Sequence, residues 1–226
     1  MSVNPTLYPK LPFDVRQDLT GVGMLARVPM ILVVKSESKI NSIDDLITAA
    51  RANPSQLTFA SAGAGSPHHM SAEIFKSLTD TDMTHVPYKG SAPALIDVLS
   101  GNVDIMFCPM NSALPYVQNG RLKALGETSP KRLAVLPDVP SIAEKVPHFE
   151  SDIWIGMVTG AKTPPAVIDK LNTELHRVLT SPAIKQTLAK QGIEAELSTV
   201  DEFNQLIESD RKRWGEVIRR ASISVN

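Results

Sequence analysis

The 226-residue sequence predicts an α/β protein with an open, mostly parallel sheet and helices on both faces. Short apolar runs alternate with amphipathic segments along the chain, which is the pattern of repeated strand–helix units. The runs resemble buried strands: "MILVV" at residues 30–34 is apolar and rich in β-branched residues. The segments between them have apolar residues at helical spacing and end at helix-stop residues, as "APALIDVLSGN" does at Gly101.

The first half of the chain contains most of these units. Ser42 is a suitable N-cap for the first predicted helix, in which Ile43, Leu46 and Ile47 share one face. Within residues 29–125 the predicted strands lie at 30–34, 56–62, 84–90, 103–109 and 122–129, and the predicted helices at 42–53, 71–78, 92–102 and 111–120.

The composition changes after Thr128. Residues 129–151 contain four prolines, which predicts an irregular connector. A strand at 152–160 and helices at 164–181, 182–192 and 199–221 follow. The last helix begins with Thr199 and Glu202 in a capping-box pattern. We therefore expect a compact α/β unit at 29–125 and a helix-rich region at 126–226, preceded by a short segment at 1–28.

Charge and composition narrow the possible functions. The formal net charge of −1 argues against broad attraction to nucleic acid or an anionic membrane, although a small anion could still bind. Cys108 is the only cysteine, so an intrachain disulfide and a cysteine-based metal cluster are excluded. No apolar run reaches the length of a membrane span. We expect a protein without a cofactor.

The most informative stretch is "TFASAGAGSPHHMSAEIFKSL" at residues 58–78. Its loop follows a predicted strand and precedes a helix, at the sheet edge where α/β proteins bind ligands. Gly63 and Gly65 permit close backbone approach, and the first-turn amides of the helix favour a carboxylate or a phosphate. A similar arrangement recurs at Gly90 and Ser91. Two such helix starts would suit a ligand with several acceptor groups.

Catalysis and metal binding are less favoured by the same residues. His68 and His69 are adjacent, so on a helix they point about 100° apart and do not easily share a metal. A hydrolase using Ser66 or Cys108 with a nearby histidine remains an alternative, although no GxSxG motif is present. No acid–base pair emerges, which favours a binding protein over an enzyme.

Several segments together resemble the solute receptors of tripartite tricarboxylate transporters, also called the Bug family. The resemblance extends from Asn4 almost to the end of the chain, in "NPTLYPKLPFD", "TFASAGAGSPHHMSAEIFK", "HVPYKGSAPALIDVLSGNVDIMF", "GRLKALGETSPKRLAVLPDVPSIAE" and "TPPAVIDKLNTELHRVLTSP". It implies a type II periplasmic-binding-protein fold with two lobes that close on a small carboxylate. It also implies delivery of the ligand to the permease subunits of a membrane transporter.

The resemblance further implies which residues line the pocket. Family members hold ligand carboxylates through backbone amides, small side chains and ordered waters at helix starts. A strand-end position where relatives usually carry aspartate is Cys108 here, which removes a charge and an acceptor. The matching ligand-binding positions are Ser61, Ala62, Gly63, Ala64, Gly65, Ser66, His69, Gly90, Ser91, Phe107 and Cys108.

The resemblance also leads to expectations about the rest of the protein. The family's signal peptide and the first part of its first lobe precede the segment that matches here. Residues 1–28 and 126–226 would then belong to an incomplete first lobe, and 29–125 to the second lobe. Uncovered sheet edges in the first lobe predict a homo-oligomer. The family is periplasmic, although this chain begins without a signal-peptide pattern. The alternative is a remnant that no longer transports a solute and acts as a dimeric interaction or sensory module.

Overall fold

The computed structural model describes residues 2–8, 10–220 and 223. They form two compact units, which we call the central unit, Pro29–Ile153, and the terminal unit, Met1–Val28 with Trp154–Asn226. In chain order the helices are α1 (Asn4–Leu7), α2 (Val15–Asp18), α3 (Ile43–Ala52), α4 (Pro67–Thr79), α5 (Ser91–Ser100), α6 (Met110–Gln118), α7 (Pro165–Leu179), α8 (Pro182–Ala189) and α9 (Val200–Arg220). The strands are β1 (Leu19–Val28), β2 (Met30–Lys35), β3 (Thr58–Ser61), β4 (Thr84–Pro87), β5 (Ile105–Pro109), β6 (Leu122–Glu127), β7 (Ile153–Gly160) and β8 (Glu194–Ala195).

The central unit contains a five-stranded sheet in the order β4-β3-β5-β2-β6. β3 is parallel to both β4 and β5, as predicted. β2 is antiparallel to both of its neighbours, β5 and β6, so the sheet is mixed at its centre. The apolar run of β2 could not reveal this, because a strand buried on both faces has the same composition in either direction.

Apolar helix faces cover both sides of this sheet. Alternate side chains of β5 point to opposite faces, so Phe107 joins one buried cluster while Met106 and Cys108 join the other. α3 and α4 contribute to the first cluster, with Leu46 and Phe75 as examples. α5 and α6 contribute to the second. The predicted two-faced α/β architecture is confirmed.

The proline-rich connector belongs to the central unit. Ile142, Val146 and Phe149 are buried in the first cluster, and the Phe149 ring stacks on Phe107 with centroids 5.9 Å apart. The boundary between the units therefore follows Ile153, whereas the sequence suggested 125/126. The prolines correctly indicated irregular backbone, but they carry no information about which core the apolar side chains join.

The terminal unit is built on β1, a ten-residue strand that the sequence analysis did not predict. β1 lies in the centre of a three-stranded sheet in the order β7-β1-β8. Gly21 and Gly23 weaken its strand signal, yet each allows a helix to pack closely. A Cβ at Gly21 would lie 2.7 Å from Phe203 of α9, and one at Gly23 would lie 2.7 Å from Asn172 of α7.

The start of α9 follows the predicted pattern, while its predicted last residue, 221, lies outside the described residues. The Thr199 N–H donates to Glu202 Oε2 at 2.8 Å, and the Glu202 N–H donates to Thr199 Oγ1 at 3.2 Å, which forms the capping box. Across the described ranges, every helix is too short or too polar to span a bilayer.

Candidate ligand-binding site

Three strands of the central unit end at the same sheet edge. In the parallel pairs Ser61 of β3 lies beside Pro87 of β4, and Ala60 of β3 lies beside Met106 of β5. The loop 61–66 after β3 and the turn 88–90 after β4 are consequently neighbours. The Tyr88 N–H donates to the Ser61 carbonyl at 2.9 Å. The structure thus brings together the two segments that the sequence singled out.

The loop 61–66 depends on its two glycines. Gly63 has a φ of 119° and Gly65 a φ of 71°, in the region that other residues rarely adopt. The Ser66 N–H closes the turn by donating to the Gly63 carbonyl at 3.1 Å. A Cβ on Gly63 would also lie 3.5 Å from the Tyr88 carbonyl. The loop therefore approaches the neighbouring turn closely.

The start of α4 carries donors without acceptors. Pro67 opens the helix, and the N–H groups of His68 and His69 lie in its first turn, where the helix offers no partner. Ser66 is the N-cap, but its hydroxyl does not accept from these amides. Within the described chain, Ser66 Oγ is buried and has no hydrogen-bond partner. A bound anion would satisfy such a set of groups.

The second helix start lies open. Gly90 precedes α5 with a φ of 121°, and a Cβ added to it would have no heavy atom of the described residues within 4 Å. Gly90 is the N-cap of α5 and has no side chain that could accept from the first-turn amides. A second acceptor group of a ligand could therefore reach the main chain here.

His68 joins the two helix starts, a role that the sequence analysis missed. Its Nε2 lies 2.8 Å from the hydroxyl of Ser91, the first residue of α5. The side chain is only 4% exposed, and in the described structure its Nδ1 has no partner. Burial lowers the pKa of His68 to about 4, so the ring is neutral at physiological pH. The sequence analysis weighed the adjacent histidines as a metal pair and as partners of a nucleophile, and the family resemblance named His69 alone as a ligand-binding position. In the structure their spacing sends one ring toward each neighbouring segment.

His69 contacts the loop itself. It is 6% exposed, and its Nδ1 accepts a hydrogen bond from the Gly65 N–H at 3.1 Å. The backbone of the loop is thus a hydrogen-bond partner of this ring.

Phe107 and Cys108 lie at the end of β5 but are enclosed in the two clusters. Phe107 is 1% exposed and Cys108 is 0% exposed. Burial raises the pKa of the Cys108 thiol to about 12, so it stays protonated. A neutral thiol is a poor nucleophile, which argues against the hydrolase alternative at this residue.

Two serine–histidine pairs occur near the loop. Ser61 Oγ lies 2.6 Å from His85 Nε2, and Ser91 Oγ lies 2.8 Å from His68 Nε2. A hydrolytic triad needs a third group to orient the histidine, and among the described residues the second ring nitrogen of His68 has no partner. In that same part of the chain, no three His, Cys, Asp or Glu side chains are grouped to hold a metal ion.

Comparison with known proteins identifies the family of this chain. Residues 1–223 match the tripartite tricarboxylate transporter family receptor. BugT of Bordetella pertussis is 33% identical over 220 residues, which cover 97% of this chain and 68% of that protein. The structure of R. palustris Rpa4515 with adipate has a TM-score of 0.91 at 32% identity and covers 99% of this chain and 75% of that one.

A second solved structure is similar in the same way. MatC (Rpa3494) from Rhodopseudomonas palustris with bound malate has a TM-score of 0.85 at 27% identity, covering 96% of this chain and 75% of that one. The fold is accordingly that of the type II periplasmic binding proteins. The chain belongs to the tripartite tricarboxylate transporter receptor family, which consists of solute-binding proteins.

Proposed function

We propose that this protein is a receptor for a small di- or tricarboxylate, which binds at the loop 61–66 and at the starts of α4 and α5. The observation that carries the proposal is the pair of helix starts joined by His68 and Ser91, with the unpartnered Ser66 hydroxyl beside them. The partial positive charge of first-turn amides favours a carboxylate. The two R. palustris relatives were solved with adipate and malate, which are both dicarboxylates.

The residues of the site would take different parts. Ligand oxygens would meet those main-chain groups of residues 61–66 that make no hydrogen bond within the loop, together with the Ser66 hydroxyl and the amides after Gly90. Phe107 and Cys108 would support the strand end from within the two apolar clusters. All eleven predicted positions would thus belong to one site, in which the loop 61–66 and the turn at Gly90 contact the ligand directly.

We further propose the biological setting that the family implies. The receptor would act in the periplasm, catalyse no reaction, and deliver its ligand to the permease subunits of a tripartite tricarboxylate transporter. The central unit would be the second lobe of the family's fold, and the terminal unit would belong to the first lobe.

Calorimetric titration with adipate and malate tests the site, using Gly90→Val and Gly120→Val as a matched pair. Both glycines have positive φ, and at both positions a Cβ would meet no atom within 4 Å. Only Gly90 precedes a proposed ligand-binding helix. We expect Gly90→Val to weaken binding by about tenfold or more, since a side chain there blocks main-chain contact, while Gly120→Val stays within about threefold.

The proposal fails if the folded wild-type protein binds neither these two acids nor a tricarboxylate such as citrate. It also fails at this site if both glycine variants bind as the wild type does.

The edge strand β7 supports a proposal of self-association. This eight-residue strand is at one edge of the three-stranded sheet. Two of its apolar side chains, Ile155 and Met157, are 46% and 37% exposed. Apolar edge strands commonly pair with another chain. Sedimentation equilibrium should show a dimer that Ile155→Lys weakens, and a wild-type monomer at high concentration would overturn the proposal.

A further inference from the structure

Two histidine rings are stacked against each other next to the loop 61–66. The rings of His69 in α4 and His85 in β4 have centroids 3.8 Å apart and are inclined by 10°. The Phe59 ring of β3 lies beside both, with its centroid 4.9 Å from that of His85 and 5.9 Å from that of His69. Three elements of the central unit therefore meet in one group of rings, which we call the aromatic cluster.

Each imidazole is connected to one glycine amide of the loop. The Gly65 N–H donates to His69 Nδ1 at 3.1 Å. The Gly63 N–H donates to Ser61 Oγ at 3.0 Å, and that hydroxyl lies 2.6 Å from His85 Nε2. The two loop residues with positive φ are thus both tied, directly or through one hydroxyl, to the stacked rings.

The Gly65 N–H fixes the tautomer of His69, and charged side chains surround the ring. Because Nδ1 accepts a hydrogen bond, the ring proton lies on Nε2, which is 3.7 Å from Glu73 Oε1. Burial raises the pKa of Glu73, but hydrogen bonds from His69 and Lys76 outweigh it, so that pKa lies below its usual value. The Lys76 ammonium lies 3.0 Å from Glu73, 3.5 Å from Asp82 and 5.6 Å from the Phe59 ring centroid. Charged side chains of α4 thus contact two members of the aromatic cluster, Glu73 at His69 and Lys76 at Phe59.

We propose that His69 and His85 are positioning residues: they hold the glycine loop in the conformation that presents its remaining donors to the ligand. This inference rests on the proposed carboxylate site. It also divides the loop amides into two sets. Those of Gly63 and Gly65 serve the scaffold, while the Ser66 hydroxyl and the first-turn amides of α4 stay available to the ligand.

The physical reason lies in the freedom of glycine. A loop with two glycines explores many conformations unless its main chain is tied. If the ties were absent, the ligand would have to order the loop on binding, and affinity would fall by that entropic cost. Preorganisation by the imidazoles removes this cost before the ligand arrives.

The test compares His69→Leu with His69→Asn. Leucine lacks the acceptor, whereas the asparagine carbonyl oxygen occupies a position close to Nδ1. Amide hydrogen exchange measured by NMR should be about tenfold faster at Gly65 in His69→Leu, with adipate and malate affinity reduced about tenfold by calorimetry. His69→Asn should stay close to the wild type in both measurements.

A second pair covers the case in which His69→Leu does not fold. His85→Gln keeps a hydrogen-bonding group near Nε2 and His85→Leu removes it, with the Gly63 amide as the exchange probe. Unchanged glycine exchange in the folded leucine variants overturns the proposal. Faster exchange with unchanged affinity would show that the aromatic cluster stabilises the loop without affecting ligand binding, and this result also overturns the proposal. Wild-type protein that binds no carboxylate refutes the proposed function first, so the two failures are distinguishable.

Discussion

Acid should destabilise this protein in part through the buried imidazole of His68. The ring is 4% exposed and its only hydrogen-bond partner in the described chain is Ser91. Burial lowers its pKa to about 4 in the folded protein, against 6.5 for an exposed histidine. Between these two values the unfolded chain binds more protons than the folded one. The free energy of unfolding therefore decreases as the pH falls from about 6.5 towards 4.

The size of the effect follows from the gap between the two pKa values. A gap from 6.5 to about 4 corresponds to about 3 kcal/mol when it is fully expressed. Most of this free energy is lost when the pH is lowered from about 7.5 to about 4.5, so His68 alone should reduce the free energy of unfolding by about 2 kcal/mol. The ring is enclosed, so solvent screening reduces this figure little.

Urea unfolding of the wild type and His68→Gln at both pH values isolates this contribution. Glutamine does not titrate, so the stability difference between the two proteins should shift by about 2 kcal/mol in favour of the variant at about pH 4.5. Ser91→Ala is the matched control, because it removes the partner of the ring but leaves the buried imidazole in place. If wild type and His68→Gln lose stability in parallel on acidification, the reasoning about the buried ring is wrong.

Two further predictions concern packing and a buried carboxyl. Gly156→Ala should lower the free energy of unfolding by about 2–3 kcal/mol, since its Cβ would lie 2.0 Å from Phe203 Cζ. Gly160→Ala on the same strand would place its Cβ 4.0 Å from the nearest neighbour and should change stability by less than about 1 kcal/mol; equal losses in chemical denaturation would contradict this. Burial raises the pKa of Glu127 to about 7, so the folded chain binds more protons between pH 4.5 and 7 and loses stability as the pH rises through that window. Relative to the wild type, Glu127→Gln should therefore gain about 2–3 kcal/mol in free energy of unfolding when the pH is raised from about 4 to about 8. A difference between the two proteins that does not change with pH would refute this.

The sequence was sufficient for most elements of the central unit because their signals are local. Ser42 caps α3 by accepting from the Asp45 N–H at 3.0 Å, and Gly101 ends α5 with a φ of 82°, as the spacing predicted. It was insufficient for β1, where two glycines weaken the strand signal. The reason for these glycines is a tertiary contact: Phe203 packs against Gly21 and Asn172 against Gly23, and both partners are distant in the chain.

The site shows the same division. The sequence located the loop 61–66 and the turn at Gly90, because glycines between a strand and a helix are recognisable by themselves. It did not separate the parts played by His68 and His69. One ring reaches Ser91 of α5 and the other ties the Gly65 amide and stacks on His85.

The sequence by itself determined the alternation of strands and helices, the helix caps and the location of the glycine loop 61–66, since each depends on residues a few positions apart. The tertiary structure alone decided the direction of β2, the inclusion of the proline-rich connector in the central core, and the hydrogen bonds that tie the Gly63 and Gly65 amides. These features depend on which distant residues share a core or a hydrogen bond, and local spacing contains no record of such contacts.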